Sequence, residues 1–227
     1  MKSIFRPSGL ILAVLLFILA VFPVGAESVF SAISWSFRGS MLFFTEDNDL
    51  QSDPMPILPS FGAAAAYPIF GPLWAELSLD FYGTHYGYNY EIGRAVPYAE
   101  ENRSTLVIGN VLGIQAMAKF QLGKNFDIRV YGGPAADLRI CLIAEDLKNE
   151  DKKDASKQTK DVSKYFWGMG RWFYPVLGFG MDFGITPKTM LGFDARVWFP
   201  LYKTWTGEDL PFAEGWRIGA GIVLTIR

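Results

Sequence analysis

Polar side chains keep to one parity along several long apolar segments of this chain. In residues 73–82, Glu76, Ser78 and Asp80 share one face, while alanine, leucine and phenylalanine fill the other. A period of two residues is that of a β-strand, whose successive side chains point to opposite sides. The same pattern recurs in 127–142, 190–199 and 216–227. The chain is therefore predicted to consist of strands with one polar and one apolar face.

The length of these segments indicates a membrane rather than a soluble setting. Each spans about ten residues or more, whereas strands of soluble proteins most often have about five or six. A tilted strand needs roughly nine to eleven residues to cross a bilayer. The chain is 50% hydrophobic and 16% aromatic, yet beyond residue 26 it has no apolar run of the roughly 20 residues that a spanning helix needs. Strands are thus expected to do the crossing.

The connections alternate between tight turns and long polar loops. Turn-forming residues mark three short connections, 70–72, 123–125 and 186–188. Long polar connections lie between them, at 46–59, 87–103, 145–164 and 204–215. Membrane barrels have short turns on the periplasmic side and longer loops outside. Three turns and four loops join eight strands, so both chain ends are predicted to lie in the periplasm.

The predicted fold is all-β, an eight-stranded antiparallel up-and-down transmembrane β-barrel. Its strands are expected at 33–45, 60–69, 73–86, 104–122, 126–144, 165–185, 189–203 and 216–227. Closure is required because an open sheet would leave edge N–H and C=O groups unpaired in hydrocarbon. A soluble eight-stranded barrel of the lipocalin type would carry polar side chains outside. The apolar face opposite the charges disfavours that alternative.

The first 26 residues have the three parts of a secretory signal. Lys2 and Arg6 precede the apolar run 10–22, and small residues follow at Gly25 and Ala26. Cleavage is expected after Ala26, which leaves 27–227 as the barrel domain.

The inward parities collect a near-balanced set of charges. They are Arg38, Glu76, Asp80, Lys119, Arg129, Asp137, Arg139, Asp194, Arg196 and Arg217. These residues are expected to pair across the lumen, where they form either a narrow or gated polar channel or a sealed core of ion pairs. The sealed core is favoured, because eight strands leave an interior just wide enough for side chains.

Two strands fit the pattern less well. Asn110 falls on the lipid parity, and the sequence offers no reason for it. Arg171 and Asp182 lie on opposite parities of one predicted strand. A bulge near Pro175 would re-phase that strand, since proline within a strand tends to occupy bulges.

The signal, the eight long alternating strands and the four outer loops resemble the small outer-membrane barrels of the OmpA, OmpX and OmpW type. The last strand keeps their glycine and spaced hydrophobic residues at Gly219, Ile222, Leu224 and Ile226, although aliphatic residues replace the usual aromatics and Arg227 ends the strand. The resemblance implies a bacterial outer-membrane location, surrounding lipids, recognition by the barrel assembly machinery, and no cofactor.

The OmpW-like resemblance implies a lateral route, in which a small hydrophobic molecule enters the outer mouth and leaves between strands. Gly132, Gly133 and Pro134, and separately Tyr174 and Pro175, are candidates for weak strand contacts or simply for wall curvature. The expected role is therefore a narrow channel that passes small, hydrophobic molecules.

The alternative role is that of a surface-exposed adhesin or structural envelope protein that uses its outer loops. Loop 145–164 holds charges of both signs and almost nothing apolar, so it is expected to be solvated and at most locally helical. Such a loop could contact host or matrix molecules. The neighbouring tyrosines Tyr82, Tyr86, Tyr88 and Tyr90 are expected at the outer rim.

Other functions receive little support from the composition. His85 is the only histidine and lies in no recognisable catalytic motif, so an enzyme is not expected. Cys141 is the only cysteine, which excludes an intramolecular disulfide, and one His with one Cys makes no metal-ligand cluster. A net charge of −2 without a basic patch argues against a nucleic-acid partner.

Overall fold

The computed structural model describes residues 32–45, 57–98, 105–143, 151–207 and 215–227. Its contacts divide the chain into Met1–Ile33 and Ser34–Arg227, and the architecture below is that of the second unit. The signal segment 1–26 lies outside the described residues, so cleavage after Ala26 stays a prediction.

The described residues form ten antiparallel β-strands and two helices. The strands are β1 (Ser34–Phe44), β2 (Ile57–Phe70), β3 (Leu73–Asn89), β4 (Arg94–Tyr98), β5 (Thr105–Gln121), β6 (Phe126–Gly133), β7 (Ala135–Ile143), β8 (Val176–Thr186), β9 (Thr189–Trp198) and β10 (Arg217–Ile226). The helices are α1 (Asp151–Trp167), which runs into a 3-10 turn (Gly168–Gly170), and the short α2 (Lys203–Thr206). Neither helix is long and apolar enough to cross a membrane.

The sheet closes on itself, because β1 pairs with β2 on one side and with β10 on the other. From β2 the pairing continues through β3, β5, the β6–β7 pair, β8 and β9 to β10. β6 and β7 are two halves of one wall strand separated at Pro134, and β4 pairs with the end of β3 outside the ring. Eight wall strands therefore form a closed antiparallel barrel, which confirms the predicted fold.

The outer surface of the barrel is apolar and its interior is polar. In β1, Ser36 and Arg38 are buried, whereas Trp35 and Phe37 are 47% and 51% exposed. Other strands also expose large apolar side chains, among them Phe61, Phe81, Ile114, Val130, Leu177, Phe193 and Ile222. A soluble barrel would show the reverse arrangement. The chain is thus a transmembrane barrel of the outer-membrane type.

Three tight turns close one end of the barrel, at the positions that the sequence predicts. They connect β2 with β3, β5 with β6, and β8 with β9. Gly71 and Gly123 adopt φ values of +52° and +83° in the first two, a left-handed conformation that glycine takes without steric cost. In barrels of this type the short turns lie on the periplasmic side, which orients the molecule.

At the opposite end, strands β3, β4 and β5 extend farther outward than the rest of the wall. The β3–β5 pairing extends to His85 and Leu106, and β4 folds back along the end of β3. Helix α1 packs on this taller wall, with Val162 and Phe166 buried against Tyr86 and Val107. We call residues 84–98 together with α1 the cap. The predicted loop 145–164 thus includes most of a helix, in keeping with the local helicity allowed for it, but the polar composition did not indicate that one side of the helix is buried.

The predicted strand 165–185 is wrong over its first half. Tyr165 lies in the last turn of helix α1 rather than starting a strand, and β8 begins at Val176. Arg171 lies in the turn after the helix, while Asp182 is buried inside the barrel. Because the two residues belong to different elements, no bulge at Pro175 is needed. Strand β9 likewise stops at Trp198, and Pro200 precedes helix α2.

Asn110 does lie on the outer parity of β5, but its amide has a partner. Its Nδ2 donates a hydrogen bond to the backbone oxygen of Leu138 on β7, at 3.3 Å. The side chain is half-buried rather than extended into lipid. A cross-strand hydrogen bond therefore offsets the cost of a polar group on the apolar face.

Candidate functional site

The most distinctive feature of the barrel is the charged network in its interior. All ten residues of the predicted inward set lie here, and nine of their side chains are at most 4% exposed; Lys119 is 10% exposed. Strand alternation brings them inside, since each occupies the parity opposite the exposed apolar residues. The network has three levels between the short turns and the cap.

The lowest level joins β1 with β3, and the neighbouring strands β6 and β8, near the short-turn end. Arg38 on β1 forms an ion pair with Glu76 on β3, across the intervening strand β2. Arg129 on β6 lies with its Nε 2.6 Å from Asp182 Oδ2 on β8. Each carboxylate balances one guanidinium, so the buried charges are paired.

The middle level centres on Arg196 of β9. Its Nη1 lies 2.5 Å from Asp80 Oδ2 on β3, and its Nη2 donates to Ser40 Oγ on β1 at 3.2 Å. Its Nε lies 2.9 Å from Asp194 Oδ1, and Tyr131 donates a hydrogen bond to the other oxygen of Asp194 at 2.5 Å. One guanidinium therefore ties together three strands across the lumen.

The upper level centres on Asp137 of β7. Arg217 Nη1 and Arg139 Nε lie 2.5 Å and 2.9 Å from its Oδ2, and the Tyr82 hydroxyl donates to the same carboxylate at 2.9 Å. The Arg217 guanidinium lies 4.1 Å above the ring centroid of Tyr174. This cation–π contact with Tyr174 adds to the ion pair in holding the Arg217 guanidinium.

An apolar cluster surrounds the upper level of the network, and the cap lies beyond it. Phe44, Tyr174 and Trp198 belong to one buried cluster with Leu42 and Tyr202. Above it, the guanidinium of Arg139 lies 3.7 Å over the ring of Phe166 from helix α1. The network is thus covered on the outer side by packed aromatic side chains.

Three charged members of the network are absent from the predicted set. Asp127 lies 3.2 Å from Lys119 Nζ and is also paired with Arg227, and Asp182 is paired with Arg129. Asp127 shares the parity of Arg129, so alternation alone was enough to find it. Asp182 was obscured by the incorrect start of its strand. Arg227 follows the last strand, where parity no longer fixes the direction of a side chain.

Two cavities border the lower network. One, of about 10 Å³, lies among Glu76, Lys119 and Arg129 and has room for roughly one water molecule. The other, of about 410 Å³, opens at the short-turn end. The path inward from that opening therefore narrows sharply at the first ion pairs.

The residues considered for other chemistry lie near the cap. His85 is half-buried and lies opposite Tyr98 and Leu106 in the strand register. Cys141 is a free, half-buried thiol that packs against the cluster beneath helix α1. Within the described ranges, no group of three or more His, Cys, Asp or Glu residues is placed to hold a metal ion.

The cap also has polar contacts on its outer side. Tyr90 in the β3–β4 turn donates a hydrogen bond to Asp161 of α1 at 3.1 Å. The pKa of the Tyr90 phenol is raised above its ordinary value, mainly because the phenol is partly desolvated and also because of this hydrogen bond. Lys157 Nζ lies 4.9 Å from the centroid of the same ring. The helix is thus attached to the hairpin by polar as well as apolar contacts.

No protein-family model matches the chain, and a comparison with curated proteins found no match. Among solved structures, Neisserial surface protein A is similar at 12% identity, covering 86% of this chain and 94% of that one, with a TM-score of 0.47. The outer membrane protein OprG from Pseudomonas aeruginosa gives 10% identity, 86% and 93% coverage and a TM-score of 0.44. Ail, the attachment invasion locus protein of Yersinia pestis, has 9% identity, covers 86% of this chain and 94% of its own, and gives a TM-score of 0.42. The eight-stranded architecture of the present chain is established by its own strand pairing and apolar exterior.

Proposed function

We propose that this protein is a rigid outer-membrane anchor that presents its cap at the cell surface to bind molecules outside the cell. The proposal rests on the filled interior of the barrel. Cross-lumen ion pairs, the aromatic cluster around the upper pair and the buried side of helix α1 occupy overlapping layers of the barrel. A small aqueous pore would need water-filled space between these layers, whereas recognition at the surface needs only the exposed side of the cap.

The exposed side of helix α1 supplies a candidate contact surface. Lys157, Lys160 and Lys164 are exposed and follow one another at spacings of three and four residues, which places them on one side of the helix. The opposite side holds Val162 and Phe166 in the buried cluster. A row of cations on an anchored helix suits an acidic surface on a matrix macromolecule.

Binding of intact cells to immobilised matrix proteins tests this role. We expect a Lys160→Glu/Lys164→Glu variant to lose most of the binding, because it reverses two charges of the row. A Lys188→Glu variant changes an exposed lysine in a short turn at the opposite end and should bind like the wild type. Equal binding by all three proteins would contradict the surface role.

Planar-bilayer conductance provides the complementary test. We expect the refolded barrel to show no reproducible conductance steps, because the ion pairs of Arg196 and Arg217 span the lumen. Steps that change in an Arg196→Ala/Arg217→Ala variant would instead support the polar channel. We propose no enzymatic activity and no cofactor. Outer-membrane lipids and the barrel assembly machinery are the partners proposed for insertion.

Lateral passage of a small hydrophobic molecule is the second candidate, favoured by one feature of the wall. The two proline-containing segments suggested by the sequence lie side by side: Gly133 pairs with Val176, and Tyr174 donates its backbone N–H to Ala135. Pro134 and Pro175 bring no N–H to this seam. Fewer ladder bonds would ease a sideways exit between β6–β7 and β8.

Cross-linking across the seam tests lateral passage. Ala136 and Phe173 form an isolated bridge at this position, so cysteines there, in a Cys141→Ser background, should join the two segments. If the seam opens during transport, oxidation should reduce uptake of a small hydrophobic solute into proteoliposomes severalfold, and reduction should restore it. Unchanged uptake after complete cross-linking would exclude this route.

A further inference from the structure

The cavity at the short-turn end of the barrel has the properties of a binding site. Its volume is about 410 Å³, within the range of about 300–1,000 Å³ common for small-molecule sites. We call it the cup; it is lined by Gly71, Pro72, Trp74, Lys119, Gln121, Asp127 and Arg227. These residues come from the β2–β3 turn and from β3, β5, β6 and the residue after β10, so the closed wall fixes their relative positions.

Among the side chains that line the cup, two are cationic and one is anionic. Lys119 Nζ lies 3.2 Å from Asp127 Oδ2, and the Arg227 guanidinium donates to the same oxygen. Two cations thus share one carboxylate, which is itself almost fully buried. A concave, low-dielectric wall concentrates the field of such an excess charge. The cup should therefore attract anions.

The side chains also have the positions needed to hold a ligand. Lys119 Nζ lies 5.3 Å from the centroid of the Trp74 ring, which restrains the ammonium group at the wall. Arg227 remains 38% exposed, so part of its guanidinium is available to a second acceptor. Gln121, exposed at the rim, has an amide that can donate to an oxyanion.

The cup ends blindly within the barrel. The cavity of about 10 Å³ that follows it shares Trp74 and Lys119 and is bordered by Arg129 and Asp182. That space accommodates roughly one water molecule. An anion that enters from the periplasmic side is therefore held at the cup instead of moving onward through the lumen.

We propose that the cup binds a small oxyanion, a carboxylate or a phosphate, from the periplasmic side. Lys119 and Arg227 provide the positive charge, Gln121 an additional donor, and Trp74 the apolar wall. The site lies at the end of the barrel opposite the cap, so it stands or falls independently of the surface role.

Titration calorimetry of the refolded protein in an uncharged detergent tests the proposal. Inorganic phosphate and acetate are the probes, and glycerol is the neutral control. We expect saturable binding of at least one anion and none of glycerol. A Lys119→Gln variant should weaken the binding at least tenfold. Lys188→Gln removes the same charge from an exposed turn at the same end and should leave it unchanged.

An Asp127→Asn variant separates ligand binding from a purely structural role. Removing the carboxylate frees both cations, so anion affinity should rise severalfold if the cup is the site. Heat-dependent gel mobility shows whether each variant is folded. Absence of saturable binding to the folded wild type, or equal affinity in the wild type and Lys119→Gln, would overturn the proposal.

Discussion

Arg217 Nη1 lies 2.5 Å from Asp137 Oδ2, and this ion pair joins β10 to β7 across the interior of the barrel. Both side chains are at most 2% exposed. Arg139 also pairs with Asp137, so removing Asp137 leaves two buried arginines without a counter-ion, and breaking a buried pair typically costs about 3–5 kcal/mol. The ion pair therefore links two wall strands that are not neighbours in the sheet, and the stability of the barrel depends on both residues.

We expect Asp137→Asn to lower the free energy of unfolding by about 3–5 kcal/mol, measured by urea unfolding in detergent or lipid vesicles. An Asp137→Asn/Arg217→Met double variant should recover part of that loss, because only Arg139 is then left without its carboxylate. Arg227→Met removes a cation whose side chain is 38% exposed, so this control should cost less. A double variant that loses the full sum of the single changes would contradict this account.

Gly178 provides room for the Tyr131 ring, whose hydroxyl bonds to Asp194. A Cβ at Gly178 would lie 2.2 Å from Tyr131 Cζ. We expect Gly178→Ala to destabilise the barrel by about 1–3 kcal/mol through displacement of this ring. Gly39→Ala is the control, because a Cβ there meets no atom within 4 Å. Equal unfolding midpoints for the two variants would show that the Tyr131 ring can move without a loss of stability.

The cost of a charge on the outer face should depend on depth in the membrane. Phe37 lies in the middle of β1, whereas Phe70 ends β2 at the short turn, and both are more than half exposed. We expect Phe37→Arg to destabilise the barrel by about 2–4 kcal/mol in lipid vesicles, and Phe70→Arg by about 0–1 kcal/mol. A similar loss for both positions would contradict the assignment of the membrane midplane to the middle of β1.

Helix α1 should detach when its buried contacts are removed. Phe166 is 1% exposed on the buried side of α1, whereas its neighbour Trp167 is 44% exposed. We expect Phe166→Ala to make α1 sensitive to limited proteolysis from the outer side while the barrel stays folded, because the wall strands pair independently of the helix. Trp167→Ala should retain the resistance of the wild type. Resistance in both variants would mean that the polar contacts alone hold the helix.

The residues considered from the sequence differ in how well they could be placed. Parity alone assigns Glu76 and Asp80 to the inner face, since a strand leaves only two directions for a side chain, and both residues are buried. Their partners, Arg38 and Arg196, lie on other strands and follow from closure of the ring. Pairing across the lumen was expected, but no specific partners were predicted, because cross-lumen contacts depend on barrel width and strand stagger.

The amphipathic period, the short turns and the strand count were determined by the sequence itself, because they arise from local backbone geometry and from the cost of unpaired backbone groups in lipid. Tertiary structure alone decided the fate of segment 151–175. Its charged residues up to 164 suggested a solvated loop, and the residues from 165 onward a strand. Instead, Val162 and Phe166 are buried against Tyr86 and Val107 as part of a helix. It also decided that Asp127 bridges Lys119 and Arg227, since that contact joins strands distant in the chain. Burial against a distant surface is a property of the assembled barrel, and no local pattern specifies it.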